Sequence, residues 1–195
     1  MELCFATNNA HKLEEVKSLL QGQVQIVSLQ DIGCAEELAE TTGTIIGNSR
    51  QKAEYVFENY NVPCFADDSG LEVEALTNAP GVDSAHYAGL QRSHDDNISL
   101  LLKNMEGVTD RKAQFVTVIT LLASGVDQRF VGTIKGTIIH KKMGTCGFGY
   151  DPIFRPDGFD NTLAQMTLEE KNKISHRAKA TEQLIEFLRS RAFKL

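Results

Sequence analysis

Apolar residues recur along the chain in two periods, one typical of strands and the other of helices. Apolar or alternating runs predict strands at Glu2–Ala6, Val24–Leu29, Pro63–Ala66, Leu71–Ala75, Lys112–Ser124 and Gln128–His140. Apolar residues three or four positions apart predict a helix from Asn9 to Gly22, one capped by Asn48, and others over Ser93–Met105 and Ser175–Phe193. Strands and helices alternate early and a hairpin comes later, so the pattern predicts an α/β fold with a mixed central sheet flanked by helices.

The segments between these elements carry the residues typical of turns. Loops are predicted at Thr41–Gly47, Asn78–Gly89 and Lys141–Gly149, with the hairpin turn at Gly125–Asp127. Thr167 and Glu170 have the spacing of a capping box. Because no linker or shift in composition divides the chain, we expect a single domain over residues 1–195.

Length, composition and charge limit the classes of protein that fit. The chain has 195 residues, of which 42% are hydrophobic, enough for one continuous core. The net charge of -6 predicts no general attraction to nucleic acid or acidic membranes, so an anionic ligand must be met by a few placed cations. No apolar run reaches the roughly 20 residues of a membrane span, and no signal peptide is evident. We therefore expect a cytoplasmic protein.

The four cysteines favour free thiols over a metal or disulfide framework. Cys4, Cys34, Cys64 and Cys146 are far apart and form no CxxC pair. Each lies in an apolar or glycine-rich setting, where a buried thiol is the expected state.

The segment Thr7-Asn8-Asn9-Ala10-His11-Lys12 lies between the first strand and the first helix. A helix N-terminus favours anions, and Lys12 adds a full cation in the first turn, so the segment is a candidate phosphate site. It is not a Walker motif, and a capped helix with a solvated lysine is the alternative.

The acids Asp67 and Asp68 follow an apolar strand and are difficult to bury without cations or donors. Their oxygens suit Mg²⁺, which binds through one or two carboxylates together with phosphate and water. One of the two acids can also orient or deprotonate an attacking water molecule. The alternative is an Asx turn that ends the strand.

Two later segments suggest a site for a planar ligand. In Gly147–Phe154, glycines allow close backbone approach, and Phe148 and Tyr150 offer faces on which a base can stack, unless they only enter the core. In Glu169–Arg177, the side chains of Lys171, His176 and Arg177 can donate to a carbonyl acceptor, unless they form an exposed basic helix start.

These blocks, in this order, resemble the ITPase or Ham1-like family of non-canonical purine nucleoside triphosphate pyrophosphatases. The resemblance runs from Thr7 to Ala178. Its most specific stretches are FADDSGLEVEAL, PGVDSAHYAG, GFGYDPIF and EEKNKISHRAKA.

The resemblance implies an elongated α/β protein, usually a homodimer, with its active site in a cleft between two lobes. It implies Mg²⁺-dependent hydrolysis of ITP, XTP and their deoxy forms to the monophosphate and pyrophosphate. In this assignment Asp68 binds the metal and accepts the proton. The residues assigned to the substrate are Thr7, Asn8, Asn9, Ala10, His11, Lys12, Lys52, Ser69, Phe148, Gly149, Tyr150, Asp151, Lys171, His176 and Arg177.

Base selectivity has a physical reason under this assignment. A 6-keto purine presents a carbonyl acceptor where adenine presents an amino donor. A pocket lined by Lys171, His176 and Arg177 therefore favours hypoxanthine and xanthine and leaves the amino group of adenine facing donors.

Two positions depart from the family pattern. Gly47 stands where members usually carry a metal-binding glutamate, and Asp67 or Glu40 are the candidates to compensate. His86 replaces an arginine and need not be charged, so an ion pair or phosphate contact is expected to change.

The sequence leaves three alternative functions. A nucleotide-binding protein that has lost catalysis is one, with Gly47 as the reason. A Maf-like pyrophosphatase acting on other modified nucleotides is another, although the Ser175-His176-Arg177 block argues against it. A purely structural protein would leave the four blocks unexplained.

Overall fold

The computed structural model describes residues 2–20, 22 and 24–190. Its strands are β1 (Glu2–Phe5), β2 (Gln25–Val27), β3 (Cys64–Val73), β4 (Pro80–Gly81), β5 (Lys112–Ala123), β6 (Val126–Ile138) and β7 (Phe154–Pro156). Its helices are α1 (Ala10–Leu20), α2 (Ile45–Tyr60), α3 (His94–Asn104), α4 (Leu168–Asn172) and α5 (His176–Arg189). Short 3₁₀ helices lie at Gln30–Ile32, Glu74–Leu76, Asp151–Ile153 and Leu163–Gln165.

The strands form one mixed sheet in the order β2-β1-β3-β5-β6-β7, and β4 pairs with β3. β1 runs parallel to β2 and to β3, whereas the pairs β3–β4 and β6–β7 are antiparallel. The turn at Ser124–Gly125 joins β5 to β6 as the predicted hairpin. The prediction of an α/β fold with a mixed sheet flanked by helices is confirmed.

The chain folds as two compact units. The first comprises residues 1–68, 117–132 and 177–195, and the second residues 69–116 and 133–176. In the first unit the side chains of β1 and β3 alternate between two faces of the sheet, as the period of two requires. Leu3, Phe5 and Phe65 pack in one cluster with α1 and α5. Cys4, Cys64 and Ala66 pack in another with α2.

The second unit has a core of its own. Leu71 and Val73 of β3 pack with Ile98 and Leu101 of α3 and with Met105, which follows it. Phe115, Ile138 and Phe154 extend the same cluster along β5, β6 and β7. This core supports the loop before Asp151–Ile153 and the short helix α4, which carry the second unit's candidate site residues.

The acids of β3 lie inside a strand and do not end it. The prediction that one strand ends at Ala66 and a separate one runs from Leu71 to Ala75 is wrong, and so is the alternative of an Asx turn at Asp67 and Asp68. β3 continues through both acids to Val73, and Glu74–Leu76 forms a 3₁₀ turn. The strand can continue because both carboxylates have polar partners from neighbouring elements.

Helix α2 begins earlier than predicted, and Asn48 is not its cap. Thr44 has extended backbone angles, and its hydroxyl accepts from the Gly47 N–H at 3.0 Å. The predicted loop therefore ends at Thr44, and Gly47 lies within the first turn. Asn48 cannot cap because its side chain accepts from Thr42 and donates to Asp68.

The structure also tests the predictions for the other helices, the capping box and the cysteines. The α1 and α3 helices and the capping box at Thr167 and Glu170 are confirmed. The end predicted for the last helix, at Phe193, lies outside the described residues. Cys4, Cys34 and Cys64 are buried as expected, whereas the prediction for Cys146 is wrong because its glycine-rich loop is exposed. Within the described residues, no helix has the length and apolarity needed to cross a membrane.

The cap of α2 gives a first testable prediction. Thr44→Ala leaves the Gly47 N–H without its acceptor, and we expect the free energy of unfolding to fall by about 1 kcal/mol. Thr44→Ser retains the hydroxyl and serves as the matched control. Urea unfolding at neutral pH measures both, and equal stability of the two variants would contradict the assignment of the cap.

Candidate functional site

The adjacent acids Asp67 and Asp68 lie at the centre of the polar cluster in the first unit. Successive side chains of a strand point to opposite faces, so the two acids meet different elements. Asp67 accepts from Lys12 Nζ of α1 and from Arg177 Nε of α5, both at 3.2 Å. Asp68 accepts from Asn48 of α2 at 3.2 Å.

Asp67 belongs to a buried group of four charges. Arg177 Nη1 also donates to the carboxylate of Glu15, at 2.5 Å, so two cations meet two anions. Burial favours the neutral form of Asp67, but the charges of Lys12 and Arg177 outweigh it and hold the pKa of Asp67 well below its usual range. Asp67 is therefore a permanent anion that fixes α1 and the start of α5 to β3.

Asp68 has the opposite protonation tendency. Burial raises the pKa of its carboxyl, and the charges of Lys52 and Lys12 only partly offset this effect. Lys52 Nζ lies 3.9 Å from Asp68 Oδ1 and forms a close ion pair with Glu40. Asp68 is thus the better proton acceptor of the two adjacent acids.

Asp68 and Glu40 are the candidate ligands for a cation. The described residues contain no group of three or more His, Cys, Asp or Glu side chains that could hold a metal alone. A cation bound through two carboxylates and the substrate's phosphates is compatible with that finding. Asp67 does not fit this role, because Lys12 and Arg177 each contact one of its two oxygens.

Position 47 does not accommodate a longer side chain as it stands. A Cβ atom added to Gly47 would lie 2.2 Å from Thr42 Oγ1 and 2.7 Å from Thr44 Oγ1. The Thr42 hydroxyl is held there by Asn48, its hydrogen-bond partner at 2.9 Å. The local packing is therefore adapted to glycine.

The segment before α1 is ordered by its own side chains. Asn9 Oδ1 accepts from the Lys12 N–H at 3.1 Å, and Thr7 Oγ1 accepts from the Asn9 N–H at 3.2 Å. The Asn8 amide bonds to the backbone of Leu38 and Glu36. Ala10 and His11 are exposed at the start of the helix. The segment thus presents an exposed helix N-terminus beside Lys12.

The candidate site residues of the second unit gather around Asp151. Its buried carboxylate accepts from Lys171 Nζ at 2.7 Å and from the Phe148 N–H at 2.9 Å. Lys171 Nζ also lies 5.0 Å from the centre of the Phe148 ring. A Cβ atom at Gly147 would lie 2.1 Å from Asp151 Oδ2, and its φ of +73° also favours glycine. Asp151 therefore shapes the loop that carries Phe148.

Two aromatic residues of this block have different surroundings. Tyr150 is buried and donates its hydroxyl proton to the Ser84 carbonyl at 3.0 Å. Its ring therefore enters the core, which was the alternative to stacking on a base. Phe148 is only half-buried, and its ring lies near Lys171 Nζ and the His94 ring. Gly149 follows Phe148 with a φ of +59°.

Three further residues singled out in the sequence are His176, Ser69 and His86. His176 is buried, and its ring stacks on Phe115 with centres 4.6 Å apart. Ser69 is half-buried and follows Asp68 in β3. His86 pairs with Asp83 at 3.3 Å on the surface, so the position keeps a local carboxylate partner.

Sequence reasoning missed Glu15 and the role of Asn48 toward Asp68. Glu15 follows Glu14, and residue type does not separate the buried acid from the exposed one. The only available signal is its position beside Val16 on the buried face of α1.

Comparison with known proteins gives one consistent result. The model of the Ham1 family matches residues 3–187. A dITP/XTP pyrophosphatase of Flavobacterium johnsoniae is 52% identical over 188 residues, covering 96% of this chain and 98% of that protein. One of Porphyromonas gingivalis is 51% identical over 188 residues, covering 96% and 97%.

Solved structures agree with the sequence comparison. The Ham1 protein of Staphylococcus aureus has a TM-score of 0.88 at 39% identity and covers 96% of this chain and 98% of its own. A nucleoside-triphosphatase, also titled dITP/XTP pyrophosphatase, of Mycobacterium abscessus has a TM-score of 0.77 at 38% identity and covers 94% and 98%.

The buried charge group gives a second prediction. In Asp67→Asn, Lys12 and Arg177 lose a charged partner, and we expect the free energy of unfolding at pH 7 to fall by about 3–5 kcal/mol. Asp127→Asn, at the exposed pair with Arg50, is the matched control and should cost less than about 1 kcal/mol.

The loss of stability in Asp67→Asn should depend on pH. Because the pKa of Asp67 is lowered on folding, its stabilising effect is present above the unfolded pKa of about 3.9 and is lost as pH falls toward the folded value. The difference between wild type and Asp67→Asn should therefore narrow below about pH 4. Urea unfolding across this range measures it, and a constant difference would contradict the pairing.

Proposed function

The chain belongs to the Ham1 family, and from that membership we propose that it is a dITP/XTP pyrophosphatase. It would hydrolyse dITP, ITP, dXTP and XTP to the monophosphate and pyrophosphate and so remove non-canonical purines from the nucleotide pool. Relatives at 51–52% identity over nearly the whole chain carry this name. The observation that supports the chemistry most directly is the buried Asp68 with a raised pKa beside Lys52.

The first unit would bind the triphosphate. Lys12 and Lys52 supply positive charge near the acid pair, and the segment from Thr7 to His11 leads into the N-terminus of α1, which favours anions. These groups would offset the charge on the phosphates, where positioning and electrostatics provide most of the rate enhancement.

Asp68 would accept the proton of the attacking water. The water oxygen forms a bond to the α-phosphorus while the bond from that phosphorus to the bridging oxygen breaks, and pyrophosphate leaves. Burial raises the pKa of Asp68, which strengthens it as a base for this step. Asn48 donates to Asp68 at 3.2 Å and would fix the orientation of its carboxylate.

Asp68 and Glu40 are the residues that would hold Mg²⁺. Both carboxylates pair with the ammonium group of Lys52, so both lie near one cation. When bound, Mg²⁺ would neutralise charge on the phosphates and the leaving pyrophosphate. Glu40 would supply the second carboxylate that the family pattern places at position 47, where the packing around Gly47 is adapted to glycine.

The base would be recognised by buried donors and an aromatic face. Phe148 would stack on the purine, with Gly149 allowing close backbone approach. Lys171 and His176 are buried and would donate to the 6-carbonyl, and Asp151 and Tyr150 would hold the loop around Phe148. Arg177, predicted for the same role, belongs to the first unit, where it pairs with Asp67 and Glu15. The assembly as a homodimer, which rests on the family resemblance, and the location in the cytoplasm, which was expected from the sequence, also belong to this proposal.

A nucleotide-binding protein without catalysis is the competing function. Catalysis would be lost in this alternative because position 47 lacks the glutamate that binds the metal in the family pattern. The ion pair of Glu40 with Lys52 argues for an active enzyme, because it provides a carboxylate next to Asp68.

The third prediction tests activity and mechanism together. We expect pyrophosphate release from dITP, ITP and XTP to exceed that from ATP and GTP. In Asp68→Asn, turnover should fall by about 100-fold or more while nucleotide binding, measured by calorimetry, is retained. Asp127→Asn is the control on the surface. Binding of ITP by the wild type without turnover would favour the competing function, and near-normal turnover of Asp68→Asn would remove Asp68 as the base.

The fourth prediction concerns Glu40. In Glu40→Gln, the Mg²⁺ concentration for half-maximal activity should rise about tenfold, because one carboxylate that would bind the metal is lost. Mn²⁺ affinity, followed by electron paramagnetic resonance, should fall in parallel, which separates metal binding from activity. Glu54→Gln, which removes a carboxylate paired only on the surface, should change neither quantity. Unchanged Mn²⁺ affinity in Glu40→Gln would exclude Glu40 as a ligand.

A further inference from the structure

A cavity in the second unit is lined by cationic residues that the proposed activity does not use. Its volume is about 380 Å³. It lies where α3 ends and β5 begins. The residues that line it are Ser99, Leu102, Lys103, Met105, Glu106, Gly107, Arg111 and His140.

Arg111 differs from the other buried cations of the described residues. Lys52, Lys171 and Arg177 each pair with at least one carboxylate. Arg111 is 9% exposed, less deeply buried than these three, and none of the ion pairs of the described residues includes it. Burial is the one cause that lowers the pKa of Arg111, and no acid opposes it. Its positive charge is therefore not neutralised by the described residues.

The hydrogen bonds of Arg111 leave part of its donor capacity unused. Its Nε, Nη1 and Nη2 atoms donate to the carbonyls of Ile138, Met105 and Ile139 at 2.6, 2.9 and 3.3 Å. A guanidinium has about five N–H bonds, so roughly two have no acceptor among the described residues. The three carbonyls hold the guanidinium rigidly at the cavity, which lowers the entropy cost of binding a ligand there.

The remaining side chains determine the kind of ligand. Lys103 adds a second cation, and His140 can donate a further hydrogen bond, whereas Glu106 is the single acid in the lining. The charge of the lining therefore favours anions. Arginine suits planar or tetrahedral oxyanions because two parallel N–H bonds can engage two oxygens.

We propose that this cavity binds a phosphate-type oxyanion through Arg111 and Lys103. The site is separate from the residues assigned to the pyrophosphatase activity, and it does not depend on that proposal. The anion would neutralise Arg111 and accept the N–H bonds that the backbone carbonyls leave unused. Free inorganic phosphate and the phosphate group of a small metabolite share this chemistry.

The experiment follows the Gly107 amide and the His140 ring by NMR during titration of the whole protein with inorganic phosphate. Both groups line the cavity, so their signals distinguish this site from phosphate bound near Lys12 and Lys52. We expect saturable shifts that sodium chloride at equal ionic strength does not reproduce. Ribose 5-phosphate forms a second arm, and tighter binding than inorganic phosphate would identify a metabolite as the source.

Variants make the test specific. Lys103→Glu reverses a charge on an exposed position of α3 and should raise the dissociation constant for phosphate by about tenfold or more. Lys135→Glu makes the same change of charge outside the cavity and should leave the dissociation constant for phosphate within about twofold of the wild-type value. Arg111→Lys, whose folding is checked by its thermal unfolding, should also weaken binding. Equal affinities in the two glutamate variants, or shifts that chloride reproduces, would overturn the proposal.

Discussion

The burial of Asp67 is the constraint on which the first unit depends. A carboxylate wholly inside a strand costs several kcal/mol unless cations and hydrogen bonds compensate it. Lys12 and Arg177 provide both, and Glu15 balances the second cation. Because the four charges come from α1, β3 and α5, their neutrality fixes the relative positions of these elements. Lys12 therefore has a structural partner as well as its proposed role toward phosphate.

The alternation of a strand separates the tasks of two identical side chains. Asp67 and Phe65 lie on the face covered by α1 and α5, and Asp68 and Ala66 lie on the face covered by α2. Asp67 thus meets cations that lower its pKa, whereas burial has the larger effect on Asp68 and raises the pKa of that carboxyl. Environment, and not residue type, divides a structural anion from a candidate base.

Much of the fold was predictable from periodicity, since the strand and helix order and the hairpin follow from local patterns. The start of α2 was not predictable, because Thr44 and Asn48 are both residues that commonly cap helices. Asn48 is excluded as the cap only by its tertiary hydrogen bond to Asp68. The continuity of β3 was missed because buried partners of an acid are invisible in sequence. The family blocks provide the candidate site residues, which stay a prediction, whereas Glu15 lies outside these blocks and was found only in the structure.

The distribution of thiols has a practical consequence. Cys4, Cys34 and Cys64 are sealed inside the first unit, whereas Cys146 lies on an exposed loop two positions before Phe148. A maleimide dye or nitroxide applied to the unmodified native chain therefore reaches one sulfur atom. That attachment point sits beside the aromatic ring proposed to stack on the purine. The wild-type sequence thus carries a ready position for a spectroscopic reporter of ligand occupancy, with no cysteine to remove or introduce.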